Sequence, residues 1–357
     1  MKKRVGIIGL GFGAQVHLPA FQSEGWELAA VCSRTRDKAR AAADAAGVKD
    51  VHTDPDELFT RADIDAVAIS TPPATHHPLS IAALNAGKHV VCEKPFSMSA
   101  DEAEQMRDVA ERNKRTAMVA HEFRFAPQRR YVKQLLRDGY IGRFNLCTIE
   151  LFLDRYVTAQ PRPLTWQAYK AEGGGILGAL GSHYIDGLRD WFGEVASVQC
   201  QLSSLRPDVL DAKSGKVVQA ESDDTFAFTL NFVNGGAATM IASFAATPAR
   251  GARLVVMGDE GTLIAEQKGP NPMDDGVVIA SRKGSALAPL PTPVQFAVAT
   301  DARDHRLMSF RALVREFTRG IEEGASPSPN FDDGWRCQQI LDAARLSSDT
   351  GRTIAIG

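Results

Sequence analysis

A glycine-rich turn between a strand and a helix constrains this chain more than any other stretch. The first twenty residues read MKKRVGIIGLGFGAQVHLPA. Lys2 to Ile8 reads as a strand, with Val5, Ile7 and Ile8 as its apolar run. Gly9, Gly11 and Ala14 follow at the spacing of a dinucleotide fingerprint, with alanine in the third place and Phe12 and Gly13 inside the turn. The physics asks for small residues there. Gly9 permits the tight turn, Gly11 lets backbone approach a pyrophosphate, and Ala14 keeps the new helix close to the strand. Free N–H groups and the positive dipole end of that helix favour phosphate. Alone, such a match also describes a plain strand-to-helix turn. Its place behind a strand and before an amphipathic helix (Val16, Leu18, Ala20, Phe21) favours the dinucleotide reading.

The pattern after it repeats. Glu27 to Cys32 reads as a second strand, ending in Ser33-Arg34-Thr35-Arg36. An acid at such a strand end would hold the ribose 2′-hydroxyl of NAD, whereas arginine accommodates the 2′-phosphate of NADP. Ser33 and Arg34 with no acid favour NADP and leave NAD possible; solvated charges opening the next helix are the alternative. A helix spans about Arg36 to Ala46, stopped by Gly47. Asp65 to Thr71 reads as a buried strand ending in Thr71-Pro72-Pro73, and Lys88 to Cys92 as one ending in Glu93-Lys94-Pro95. Ser99 and Glu102 form a capping box, and Ala117 to His121 is a further strand, followed by Glu122. Strands alternating with helices imply a doubly wound parallel sheet, which binds ligands beyond the carboxyl ends of its strands. The special turns all fall on that edge. Lys94, just past a buried strand, would be partly desolvated and suited to proton handling; a surface lysine paired with Glu93 is equally compatible with spacing alone.

The segments GIIGLGFGAQVHLPAF, STPPATHHPLSIAALNAGKHVVCEKPFSMSADEA, EFRFAPQ and GGGILGALGSHYID together resemble the Gfo/Idh/MocA oxidoreductases, the relatives of glucose–fructose oxidoreductase and inositol dehydrogenase. The resemblance covers essentially the whole chain. It implies a nicotinamide cofactor, a sugar-like or cyclitol substrate and a catalytic Lys94. It also implies a cofactor-side place for His76, and substrate-facing places for Arg124 and Trp166, although a core tryptophan fits the sequence as well. Arg155 and Tyr156 are weaker candidates. His17, His77 and His305 read as surface or capping residues.

After about residue 122 the alternation stops. Successive strands with little helix between them, among them Asn145 to Leu153, Thr225 to Phe232 and Ala237 to Phe244, imply an α+β domain with a large open mixed or antiparallel sheet. Pro270 to Pro293 reads as loops around a short strand at Val277 to Ala280, and two helices near Ser309 to Glu322 and Asp333 to Ser347 close the chain. The expected domains are therefore a Rossmann domain, 1–122, and a substrate-binding and oligomerisation domain, 123–357. Gly173-Gly174-Gly175 precedes a helix carrying His183 and Asp186 on one face, apart from the stripe of Leu177, Leu180, Tyr184, Leu188 and Trp191. A histidine there can shuttle a hydroxyl proton; a hydrogen-bonded structural histidine is the alternative, and the resemblance favours the catalytic one. Many of the resembled proteins carry an aspartate four residues before this histidine, where this chain has Ala179; Asp186 and Glu122 are candidates to replace it.

Composition narrows the setting. The chain has 357 residues and a net charge of -2, which gives no footprint for nucleic acid or an anionic membrane. Five scattered cysteines without a CxxC pair indicate neither a disulfide framework nor a zinc site, and fit a reducing compartment. The apolar runs are too short for a membrane span or a signal peptide. The expectation is a cytoplasmic NAD(P)-dependent dehydrogenase of a sugar, cyclitol or polyol secondary alcohol, without metal, forming a homodimer or homotetramer. An NAD-dependent redox glycosidase and a non-catalytic sugar and dinucleotide sensor are the other two readings that the resemblance leaves open.

Overall fold

The computed structural model describes residues 2–267, 277–296 and 301–357. The chain forms two compact units, Met1–Glu122 with Thr300–Gln338, and Phe123–Ala299 with Gln339–Gly357.

The first unit is built on six strands, β1 Arg4–Ile8, β2 Glu27–Cys32, β3 Asp50–His52, β4 Ala66–Ile69, β5 His89–Cys92 and β6 Ala117–Val119, in the order β3-β2-β1-β4-β5-β6. All neighbouring pairs are parallel. β1, β4 and β5 are apolar with almost no polar alternation because helices cover both faces of such a sheet. The order reverses between β1 and β4, which opens a crevice beyond their carboxyl ends. The first crossover begins with a π turn, Gly13–His17, that runs into α1 Leu18–Ser23. The helices α2 Arg36–Ala46, α3 Asp56–Phe59, α4 His76–Asn85 and α5 Ala100–Arg112 follow. Gly47 closes α2 at φ 71°, where an L side chain would be strained. Ser99 caps α5 by accepting from the Glu102 N–H at 3.2 Å, while the Glu102 carboxylate accepts from the Met98 N–H at 2.9 Å.

The second unit begins with α6 Pro127–Arg137 and contains α7 Ser182–Phe192. Its main sheet comprises β7 Phe144–Phe152, β9 Val195–Ser203, β12 Thr225–Phe232, β13 Ala237–Ser243, β14 Gly251–Gly258, β15 Gly261–Gln267, β16 Val277–Arg282, β17 Ala288–Leu290 and β18 Ile354–Ala355. Their order is β17-β16-β15-β14-β7-β13-β12-β9-β18, and only β13 and β7 run parallel, so the sheet is mixed. β8 Arg162–Pro163, β10 Asp208–Asp211 and β11 Lys216–Gln219 form a separate small sheet, in the order β11-β10-β8, that the strand pattern of the sequence does not announce. Alternation along β7, β9, β12 and β13 buries Cys147, Ile149, Cys200, Phe226, Phe228, Ala238 and Met240 on one face. It exposes Thr148, Glu150, Gln199, Gln201, Thr239 and Ile241 on the other.

One boundary at 122 does not describe this division. α8 Leu307–Glu323 returns to the first unit, and α9 Phe331–Thr350 is shared at its middle. The cause is apolar: Phe317 stacks on Trp26 at 5.8 Å, and Phe331 meets Phe96 at 4.6 Å. The loops expected from Pro270 begin outside the described residues; the expected short strand is β16.

Candidate active site

In the first unit the glycine turn is held by backbone on both sides. Gly9 donates its N–H to Cys32 O at 3.0 Å, and Ser70 donates to Ile8 O at 2.7 Å. Gly9 sits at φ 92°, and a Cβ there would lie 2.4 Å from Ser70 O, so only glycine fits. A Cβ on Gly11 would meet nothing within 4 Å; the chain leaves open space on the crevice side of the turn. The tight helix-to-strand contact falls at Gly13, whose Cβ would lie 3.2 Å from Ile7 Cγ2, rather than at half-buried Ala14. This turn fits a dinucleotide pyrophosphate: open space at Gly11, and ahead of it the first N–H groups of a helix, which lack partners inside the helix. Phe12 is half-buried, with the Arg306 guanidinium 4.7 Å above its ring. At the end of β2, Ser33 is half-buried and Arg34 is exposed.

Beside the turn lies a buried charge cluster. His17, read from the sequence as a surface or capping residue, is fully buried, and its Nε2 lies 2.9 Å from Glu93 Oε1. The signal was present: His17 follows Gly13 by four residues and precedes Phe21 by four, on the buried stripe. Glu93 Oε2 accepts the backbone N–H of Lys94 at 3.1 Å. Burial pushes the Glu93 carboxyl up, but His17 and then Lys94 outweigh it and hold it below the usual carboxylate range. Glu122, also buried, is pushed up to about 8, first by burial and then by the charge of Glu93, against the pull of Lys94 and Arg306. Lys94 itself is half-buried, at a cis peptide to Pro95.

Three residues expected at the coenzyme prove to be wall. His76 is fully buried, with Nδ1 2.9 Å from Pro95 O and Nε2 2.8 Å from Thr71 O. It braces Thr71-Pro72-Pro73 against Lys94-Pro95 and has no edge left for a ligand. Burial keeps its ring below the usual histidine range, although the carbonyls pull the other way. The Glu93 and Glu122 side chains are likewise closed in, at 6% and 2% exposure. Thr71 and Pro72 keep partial exposure, and Pro73 is buried.

In the second unit Gly173-Gly174-Gly175 folds around Asp223. Gly175 has φ 105°, and a Cβ there would lie 2.1 Å from Asp223 Oδ1. Asp223 Oδ2 accepts the N–H of Leu177 at 2.8 Å, so this aspartate caps the helix from 46 residues away, a role that no local pattern announces. Burial pushes its carboxyl up. The helix opens with a π turn, Leu177–Gly181, so the α-helical spacing assumed between Ala179 and His183 does not hold there. His183 is buried and stacks on Phe123 at 3.7 Å and 5°. Every residue from Ser182 to Arg189 is buried, so no separate apolar stripe distinguishes the histidine.

Two expectations here are corrected. Arg124 does not face a substrate: its guanidinium lies 2.5 and 2.6 Å from the two oxygens of Asp186 and 3.1 Å from Asp190. Asp186 is fully buried in that pair, and a carboxylate bound to a guanidinium by both oxygens does not stand in for the acid missing at Ala179. Trp166 stays a candidate, half-buried at the start of a single turn, Trp166–Ala168. Tyr156 packs under the Arg162 guanidinium at 4.0 Å, and Arg155 lies over Phe244 at 5.4 Å. His77 bonds Gln105 at 2.9 Å and His305 is exposed. All five cysteines are buried thiols. Among the described residues no cluster of histidine, cysteine, aspartate and glutamate could hold a metal, and no helix is long and apolar enough to cross a membrane.

Two family models match the chain. Residues 3–121 match the oxidoreductase family, NAD-binding Rossmann fold, and residues 133–356 match the oxidoreductase family, C-terminal alpha/beta domain. An uncharacterized oxidoreductase of Synechocystis sp. is 29% identical over 360 residues, covering 99% of this chain and 95% of that protein. Levoglucosan dehydrogenase of Pseudarthrobacter phenanthrenivorans is 26% identical over 379 residues, covering 95% and 94%. Among solved structures, an oxidoreductase domain protein from Kribbella flavida matches with TM-score 0.89 at 26% identity, over 100% of both chains. A levoglucosan dehydrogenase in complex with NADH and L-sorbose matches with TM-score 0.89 at 24% identity, over 100% and 99%.

Proposed function

The chain belongs to the Gfo/Idh/MocA oxidoreductase family, and on that premise we propose that it is an NADP-preferring dehydrogenase that also accepts NAD. Its substrate is the secondary alcohol, or the ketone, of a sugar, cyclitol or related polyol. The observation that carries this reading is the glycine turn at the point where the sheet order reverses, with Lys94 tied through Glu93 to the helix leaving that turn. Gly9, Gly11, Phe12, Gly13 and Ala14 would hold the pyrophosphate, and Thr71-Pro72-Pro73 would border the nicotinamide half. The nicotinamide, when bound, supplies the hydride chemistry. Exposed Arg34 beside Ser33, with no acid at the end of β2, supports recognition of a 2′-phosphate.

Lys94 polarises the reacting oxygen and His183 relays its proton; these are the two catalytic assignments. Trp166 offers an apolar face of the kind on which sugar rings stack. The levoglucosan dehydrogenase likeness supports a sugar-like substrate and makes levoglucosan and L-sorbose the first compounds to try. Five buried cysteines, none of them in a disulfide, support a cytoplasmic setting. The exposed face of the nine-stranded sheet is the surface through which we expect two or four copies to pair.

The test is a panel of sugars and polyols with NAD and NADP, on wild type and Lys94→Ala. Coenzyme affinity should persist in the variant, while turnover falls by about 10²–10⁴-fold, the usual contribution of a positioned acid or base. Equal turnover in the two proteins would remove Lys94 from its role.

A further inference from the structure

The glycine turn and Lys94 are joined through a buried side-chain pair, His17 and Glu93. His17 is the last residue of the π turn that follows Gly9 and Gly11. It is fully buried against aromatic rings, with Phe310 at 4.3 Å and Phe12 at 5.7 Å. Its Nε2 meets Glu93 Oε1 at 2.9 Å, and the other Glu93 oxygen takes the backbone N–H of Lys94 at 3.1 Å. The carboxylate therefore spans from the phosphate-binding turn to the residue after it in sequence. A buried carboxylate with both oxygens engaged is a rigid link, because rotating it would strand a charge away from water. An aromatic nest would suit an apolar side chain at residue 17 better than an imidazole; the imidazole stands where it reaches Glu93.

We propose that His17 and Glu93 are positioning residues that fasten the Lys94 backbone to the coenzyme turn, so that the geometry of the turn sets where the lysine amine stands. The proposal rests on the reading of the turn as the coenzyme site and of Lys94 as catalytic. Both side chains are buried, His17 at 0% and Glu93 at 6% exposure, and in the proposal neither meets the substrate. Their effect is on where Lys94 is presented, and a displacement of about 1 Å at a reacting group can cost about 10²-fold in rate.

Three variants separate positioning from simple structural support. His17→Phe removes the link and leaves Glu93 as a buried charge. His17→Phe with Glu93→Gln removes the link and the stranded charge together. His17→Gln keeps an amide donor that can reach Glu93. Each is measured by thermal unfolding, by NADH and NADPH fluorescence titration, and by kcat and KM. Positioning predicts that the double variant regains the wild-type melting temperature and binds coenzyme within about threefold of wild type, yet keeps kcat about 10–100-fold low. His17→Gln recovers most of that kcat, and KM for the sugar stays put throughout. Recovery of both melting temperature and kcat in the double variant would overturn the proposal, leaving His17 a structural residue. Loss of kcat in His17→Gln equal to that in His17→Phe would overturn it too. Failure of the underlying reading looks different: wild type would bind neither coenzyme, or Lys94→Ala would turn over as fast as wild type, and both conclusions would then fall.

Discussion

Replacing Glu122 by glutamine should change how stability depends on pH, and by an amount the buried cluster fixes. Glu122 is 2% exposed, and its carboxyl is moved from 4.5 to about 8 by burial first and by the charge of Glu93 second. The folded protein therefore keeps this proton up to about pH 8, whereas the unfolded chain releases it near 4.5. Between those values the folded state binds more protons, so wild-type stability falls as pH rises through the window and levels off above it. The displacement of about 3.5 on the pH scale, 8 less 4.5, corresponds to a ceiling of about 5 kcal/mol at 1.36 kcal/mol per tenfold. Glutamine has nothing to titrate. Urea unfolding of wild type and Glu122→Gln at about pH 5 and about pH 8.5 isolates the effect, because titrating groups that do not interact with Glu122 cancel in the difference. The variant should gain on wild type by several kcal/mol between the two conditions, approaching but not exceeding about 5 kcal/mol. A difference constant to within about 0.5 kcal/mol, the ordinary scatter of independent sites, would refute the reasoning.

Two further outcomes follow from the turn and the end of β2. Gly9→Ala forces a side chain to φ 92° and onto Ser70 O, so it should lose about 2–4 kcal/mol of stability by urea unfolding and bind NADH at least tenfold more weakly; wild-type binding would sink the coenzyme assignment. Arg34→Asp should reverse the ratio of kcat/KM for NADP over NAD by about tenfold or more, since an aspartate repels a 2′-phosphate and accepts from a 2′-hydroxyl; an unchanged ratio would refute the assignment of Arg34.

The parts of this molecule legible in its sequence are those whose rules are local. The strands β2 and β12, the Gly47 stop and the Ser99 cap depend on residues within a few positions, and their patterns alternate or terminate accordingly. The glycine turn was legible because only backbone shape is at stake. What stayed hidden depends on distant chain. Asp223 reads as one of two adjacent acids before a strand, and its partner is the Leu177 N–H. The resemblance places Arg124 toward a substrate; Asp186 and Asp190, on α7 and some sixty residues away in sequence, pair with it in the fold. Histidines proved hardest, since imidazole suits a surface, a core or a site. The sequence suggests a surface or capping place for His17 and a coenzyme-side place for His76, whereas both are fully buried in the fold.

The returning segment, 301–338, explains why the coenzyme unit is not simply the first 122 residues, and it yields a test. Leu307, Phe310, Leu313, Val314 and Phe317 of α8 are fully buried, and Phe331 is nearly so. Phe310 backs His17, Phe317 covers Phe21 and Trp26, and the Thr318 hydroxyl accepts the Trp26 indole N–H at 2.9 Å. Burial of one such apolar side chain contributes about 1.5–3 kcal/mol, so these six together supply on the order of 10 kcal/mol. That equals the whole net stability of an ordinary domain, about 5–15 kcal/mol. A chain ending at residue 122 would expose the rings behind the phosphate turn and leave the His17 ring without its aromatic wall. It should show no cooperative urea transition and no NADH binding, whereas residues 1–122 joined to 301–338 by a flexible linker should show both. A cooperative transition and wild-type NADH affinity in residues 1–122 alone would mean that the glycine turn holds its shape without α8, and the account of how this fold builds its coenzyme crevice would have to be given up.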